Sequence, residues 1–243
     1  MAATLRVKDL SKKYAKVEGA KHVSFEVNRG EVFALIGPNG AGKTTTIRMI
    51  ATLLTPTGGD AFVDGYSVVR EPAKVRENIT YLPDEAGAYK NMTGKGYLKF
   101  MAALFTTDKR QQQEYVSRAV EIAGLAERLD DKIASYSRGM IRKLLLARAV
   151  MTRPSLAMLD EPTSGLDIIN ALEIRRMIRR LADEEGMSFL ISSHNMLEIE
   201  YLSDRVGIIN KGTLLVTGRP DDLKAQFNAS NLEEVFERAV QEQ

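Results

Sequence analysis

Residues 37–45 read Gly37-Pro38-Asn39-Gly40-Ala41-Gly42-Lys43-Thr44-Thr45, which fits the spacing Gly-x-x-x-x-Gly-Lys-Thr. That spacing suits phosphate for physical reasons. Glycines let the backbone wrap closely around an anion, so that successive N–H groups point inward. A helix opening at Lys43 adds its partial positive charge at the same place. Lys43 is predicted to reach the β- and γ-phosphates of a nucleotide, and the Thr44 hydroxyl to ligate Mg²⁺. The order Gly40-x-Gly42-x-x-Thr45 does not fit a dinucleotide fingerprint.

A second run, Leu156-Ala157-Met158-Leu159-Asp160-Glu161, is an apolar strand that ends in two acids. In an open α/β sheet the ligand sits beyond the carboxyl ends of the strands. Asp160 is therefore expected to face Mg²⁺, and Glu161 to hold or polarise an attacking water. Many strands end in acids and mean nothing by it. Beside a phosphate loop the pair acquires a chemical role.

The elements that must position these groups are legible in outline. Val32-Phe33-Ala34-Leu35-Ile36 is a continuous apolar run of strand length, typical of a sheet buried on both faces, and it feeds the glycine-rich loop. A helix is expected over about 43–54. Leu5-Arg6-Val7 and the alternating Val23-Ser24-Phe25-Glu26-Val27 predict strands before it; Ala61-Phe62-Val63 and Ile79-Thr80-Tyr81-Leu82 predict strands after it. From about 93 to 151 the apolar spacing is helical, as in Leu98, Met101, Ala102 and Phe105. Strands are then expected at 156–159, 188–192, 205–210 and 214–216. Helices are expected over 168–182, from Asn195, and twice between about 219 and 242. Strand–helix alternation predicts an α/β fold with a mostly parallel sheet and helices on its faces, interrupted by a helical insertion at about 90–150. With no repeat or linker, residues 1–243 are expected to form a single domain with subdomains.

Composition removes other chemistries. The chain has no cysteine, which excludes disulfides, thiolate metal clusters and a thiol nucleophile, and suits a reducing cytoplasm. Its two histidines, His22 and His194, cannot make a three-histidine metal site. Charge is nearly balanced, 34 basic against 32 acidic residues, so no nucleic-acid partner is expected. No window holds 18 consecutive apolar residues, so no membrane span is expected, and Met1–Asp9 has no apolar signal core.

Together these motifs resemble the nucleotide-binding subunit of an ABC transporter, and the resemblance covers nearly the whole chain. Pro162-Thr163-Ser164-Gly165-Leu166-Asp167 matches the family's D-loop after Asp160-Glu161. Ser192-Ser193-His194 matches its switch histidine, and Ser135-Tyr136-Ser137-Arg138-Gly139-Met140 stands where its Leu-Ser-Gly-Gly-Gln signature belongs. The resemblance implies a P-loop NTPase core with an N-terminal antiparallel β subdomain, and ATP with Mg²⁺ as cofactors. It implies that Tyr14 stacks on adenine and that His194 contacts the γ-phosphate. Ser137 can cap the helix that follows, and the resemblance has that end, with Gly139, bind the ATP held by a second subunit. Such subunits work as homodimers or heterodimers against a separate permease, on the cytoplasmic face of the membrane. A soluble ABC-type ATPase in a non-transport role is the alternative. Asn210-Lys211-Gly212-Thr213 lacks the aspartate of a guanine-reading motif, which argues against a GTPase.

Two departures stand out. Arg138 replaces a signature glycine and Met140 its glutamine. The family's Q-loop glutamine should follow Tyr81-Leu82-Pro83, where Asp84-Glu85 stand, and Asp84 is expected to approach the metal in its place. The Tyr-Ser-Arg-Gly-Met variant and the Asn231-Leu232-Glu233-Glu234-Val235-Phe236 tail look most like the branch serving multidrug, sodium or polysaccharide exporters.

Overall fold

The computed structural model describes residues 3–15 and 17–242. In chain order it forms β1 (Ala3–Lys13), β2 (Glu18–Asn28), β3 (Val32–Ile36), α1 (Lys43–Ile50), β4 (Gly58–Val63), β5 (Tyr66–Ser67), α2 (Pro72–Asn78) and β6 (Ile79–Leu82). Then come α3 (Gly94–Phe105), α4 (Lys109–Ala123), two short 3₁₀ turns and α5 (Arg138–Val150). The last part is β7 (Leu156–Asp160), α6 (Ile168–Glu185), β8 (Ser188–Ser193), α7 (Met196–Glu200), β9 (Arg205–Asn210), β10 (Thr213–Gly218), α8 (Pro220–Gln226) and α9 (Leu232–Gln241).

The chain divides into two compact units. The first holds Met1–Tyr81, Pro154–Glu161 and Arg179–Gln243; the second holds Leu82–Arg153 and Pro162–Ile178. The strands run in the order β5-β4-β1-β2-β10-β9-β3-β8-β7-β6. β3 pairs parallel with β8 and β9, and β7 pairs parallel with β8. β1, β2, β4 and β5 pair antiparallel, as do β9 and β10. The sheet is thus mixed, with its parallel part around β3. Every residue of β3, β7 and β8 is buried, which is why these runs read as unbroken apolar stretches with small polar residues only at their ends.

In the first unit Phe25 stacks on Phe33 at 4.9 Å, within a cluster that includes Leu5, Val27, Leu35, Ile47, Met158 and Leu190. In the second unit, helix ends are fixed locally. Thr93 caps α3 by accepting the Gly96 N–H, and Asp108 caps α4 by accepting the Arg110 N–H. Gly124, at φ 59°, closes α4.

Three differences from the sequence expectation have physical causes. β1 runs to Lys13 because register shifts interrupt its alternation after Val7, next to Asp9 at φ 55°. α1 stops at Ile50 and not near 54, because Thr52 turns left-handed and the N–H groups of Leu53 and Leu54 return to the Arg48 carbonyl. α2 was not expected: it buries only Val75, so it shows no apolar stripe, and Pro72 at its start is the one signal.

Candidate active site

β3 delivers the chain into the glycine loop at its carboxyl end. Gly42 sits at φ 106°, and a Cβ there would collide with the carbonyl oxygen of Gly19, so only glycine fits. The loop is tied down by Gly37 N–H to the Ser193 carbonyl at 3.4 Å and by Gly212 N–H to the Ala41 carbonyl at 2.8 Å. Pro38, Asn39 and Gly40 form its exposed tip. Gly42 brings no side chain to the start of α1, so the first N–H groups of that helix are not capped by it. The Lys43 Nζ donates to the carbonyls of Gly37 at 2.7 Å and Pro38 at 3.2 Å, and lies 3.6 Å from Glu161 Oε1. Burial lowers the Lys43 pKa, against the opposing pull of Glu161 and Asp160.

Asp160 ends β7 with only 3% of its surface exposed. Hydroxyls converge on its carboxylate. Thr44 Oγ1 donates to Oδ1 at 3.2 Å, Ser192 Oγ also donates to Oδ1, and the Tyr81 phenol donates to Oδ2 at 3.2 Å. Burial raises the Tyr81 pKa, which keeps the phenol a donor. The neighbouring Tyr81 phenol in turn raises the Arg48 pKa.

Glu161 follows at φ 49°, a left-handed conformation that a non-glycine residue adopts at a cost. Its N–H is held by the carbonyl of Ser192 at 3.1 Å and its hydroxyl at 3.2 Å. The turn separates the two acids. Asp160 meets the hydroxyls, while Glu161 Oε2 lies 2.9 Å from His194 Nδ1 and 3.4 Å from the His194 N–H. The Glu161 side chain is 13% exposed and that of His194 48%. Lys43, Thr44, Asp160, Glu161 and His194 therefore form one cluster, although they come from three separate stretches of sequence.

Tyr14 lies against the same loop. A Cβ on Gly19 would stand 2.7 Å from the Tyr14 ring and 3.2 Å from the Thr45 methyl, so Gly19 is the spacer between them. The ring stays half exposed, with the Lys12 ammonium 5.6 Å from its centroid.

In the second unit, Ser137 caps α5 by accepting the Met140 N–H at 3.2 Å, as its residue type predicts. Gly139 is buried against the Asn170 side-chain amide, and the Arg138 guanidinium lies over Gly165. Asp84 pairs with Arg142 at 3.2 Å.

Four contributors were not singled out from the sequence. Gly19 had a signal, a glycine at the start of a strand, which often marks close backbone approach. Tyr81 and Ser192 stood inside quoted segments with no role of their own. Arg142 carried no signal of its own.

Asp160 and Thr44 suit Mg²⁺, which takes few protein oxygens and fills its shell with water and substrate phosphate. Among the described residues no group of three or more acidic, histidine or cysteine side chains could cage a metal unaided.

The fold and this cluster define a nucleotide-binding cassette. The family model described as ABC transporter matches residues 20–164. The chain is 35% identical over 228 residues to the linearmycin resistance ATP-binding protein LnrL of Bacillus subtilis (strain 168), covering 94% of this chain and 73% of that one. It is 37% identical over 222 residues to the probable multidrug ABC transporter ATP-binding protein YbhF of Escherichia coli (strain K12), covering 91% of this chain but 38% of that one. A solved structure titled as the ATP binding subunit of an ABC transporter superposes with a TM-score of 0.84 at 30% identity, covering 98% of this chain and 99% of the other. The chain belongs to the ABC transporter family. It is an ATP-binding, ATP-hydrolysing subunit of that family, and no described helix is long and apolar enough to cross a membrane.

Proposed function

We propose that this subunit powers an exporter, dimerising on ATP against a separate permease chain at the cytoplasmic face of the membrane. Export is supported by the resistance and multidrug names of the relatives LnrL and YbhF. The observation that carries the mechanism is the placement of Glu161 between Lys43 and His194, beside an Asp160 that already gathers the Thr44 hydroxyl.

In this mechanism Tyr14 stacks on adenine. The backbone from Gly37 through Gly42 and the start of α1, with Thr45 behind it, cradles the phosphates. Lys43 exchanges its bonds to the Gly37 and Pro38 carbonyls for phosphate oxygens. Thr44 and Asp160 would hold Mg²⁺, which would supply charge neutralisation at the phosphates. Glu161 orients the attacking water and accepts its proton, and His194 stabilises charge on the transferred phosphoryl group. Ser137 and Gly139 present the start of α5 to the ATP of the second subunit, so nucleotide is shared across the dimer.

Lys43→Ala tests the phosphate assignment. ATP turnover should fall to background while the thermal transition remains cooperative, because Lys43 contacts loop carbonyls and not the apolar core. Turnover like the wild type would overturn it.

A further inference from the structure

One oxygen of the Asp84 carboxylate is engaged by an arginine. Arg142 Nη2 approaches Asp84 Oδ1 at 3.2 Å, and Arg142 Nη1 donates to the Pro83 carbonyl at 3.5 Å. The exposures are unequal: the Arg142 side chain is 7% exposed and that of Asp84 42%. A guanidinium that far from water requires compensation, and withdrawing a charged partner from a buried ion is strongly destabilising. Arg142 lies one turn into α5, after Ser137, Arg138 and Gly139.

The start of α5 is also held by the segment 165–173. Gly139 packs on Asn170, Arg138 covers Gly165, and Lys143 is ion-paired with Glu173. Asn170 is fixed in its turn, since its N–H and its amide Nδ2 both donate to Asp167, at 3.0 and 2.6 Å. The 83–84 segment supplies a further hold through Arg142. An acid at position 84 has a local reason that owes nothing to a metal: a neutral amide would offset the buried guanidinium less well.

We propose that Asp84 is a positioning residue that fixes the first turns of α5 through Arg142, and that it is not a metal ligand. Asp84 thereby sets the direction in which Ser137 and Gly139 face. The consequence for dimerisation rests on the function proposed above; the positioning itself does not.

The test uses the full chain with Asp84→Asn, and with the reversed pair Asp84→Arg plus Arg142→Asp. Hydrogen exchange is read without nucleotide at the amides of Met140 and Ile141, which bond to Ser137. Asp84→Asn should speed their exchange about tenfold, and the reversed pair should return it to within roughly threefold of the wild type. The Mn²⁺ affinity of the ATP-loaded monomer, read by electron paramagnetic resonance, should change by less than about twofold in Asp84→Asn, because no ligand has been removed. In a Glu161→Gln background, Asp84→Asn should raise the protein concentration needed for ATP-driven association about tenfold, with ATP affinity unchanged, which loss of packing alone would not do. Unchanged exchange, a failure of the reversed pair to restore it, or a tenfold loss of Mn²⁺ affinity would each overturn the proposal. A Glu161→Gln parent that never associates would contradict the dimer function, and the exchange and Mn²⁺ results would still decide the role of Asp84.

Discussion

Glu161 Oε2 lies 2.9 Å from His194 Nδ1, while Oε1 of the same carboxylate lies 3.6 Å from Lys43 Nζ. One acid thus spans the phosphate loop and the loop after β8. The left-handed backbone of Glu161 makes this possible, because it turns the side chain away from the direction taken by Asp160. With its carboxylate fixed at both oxygens, Glu161 has few rotamers left, and pre-ordering of this kind lowers the cost of positioning a water.

His194→Ala should therefore act on the chemical step. It removes a partner of Glu161 and, in the mechanism proposed above, a group that faces the transferred phosphoryl, and kcat should fall about 10²- to 10³-fold, the usual effect of deleting one such stabilising contact. KM for ATP should move by only a few-fold, since no binding contact to adenine or the loop is lost. Steady-state kinetics checks it; a large rise in KM at unchanged kcat would place His194 in binding instead.

Tyr81 is the donor on the free side of Asp160. Tyr81→Phe deletes only the hydroxyl and leaves the ring in place. The carboxylate should lose orientation, and the Mg²⁺ concentration for half-maximal ATPase activity should rise roughly three- to tenfold, as expected for one hydrogen bond to a charged group. An unchanged Mg²⁺ dependence would show that Ser192 and Thr44 hold Asp160 without help.

Lys43 should leave a mark on the pH dependence of stability. Burial holds its folded pKa below the ordinary value of 10.5. Below the lowered folded value both folded and unfolded chains carry the proton, and the burial penalty stands in full. Between the lowered folded value and 10.5 the unfolded chain binds more protons, so the stability contributed by this residue rises with pH. Denaturant unfolding of wild type and Lys43→Met across this alkaline window should show the wild type gaining on the variant as pH increases. A constant or shrinking difference would contradict a depressed Lys43.

Much of the site was legible because its residue types are tied to backbone geometry. Gly42 is needed where no Cβ fits against Gly19, and Asp160 ends a strand whose every residue is buried. Such requirements leave marks in a single sequence. The hydroxyls of Tyr81 and Ser192 left none, because a donor to a carboxylate can come from any neighbouring strand and its partner is set by sheet order, not by spacing. Asp84 shows the same limit from the other side. Its position relative to Tyr81-Leu82-Pro83 was readable, but its partner Arg142 lies 58 residues away and was not. In the fold, β1 and α2 escaped full definition for a related reason: a bulge and a single buried valine erase the periodicity that would reveal them.

The most direct measurement concerns Glu161 and assembly. Glu161→Gln keeps the size and hydrogen-bonding shape of the side chain but cannot take a proton from water. If Glu161 serves as the base and ATP is shared between two subunits, this variant should bind ATP, hydrolyse it at least about 10²-fold more slowly, and accumulate as a dimer. Light scattering with saturating Mg-ATP should then report twice the 27.0 kDa of the chain, returning to the single-chain mass when ATP is removed. A variant that turns ATP over like the wild type would contradict the role of Glu161, and one that remains at 27.0 kDa in saturating ATP would contradict the shared nucleotide.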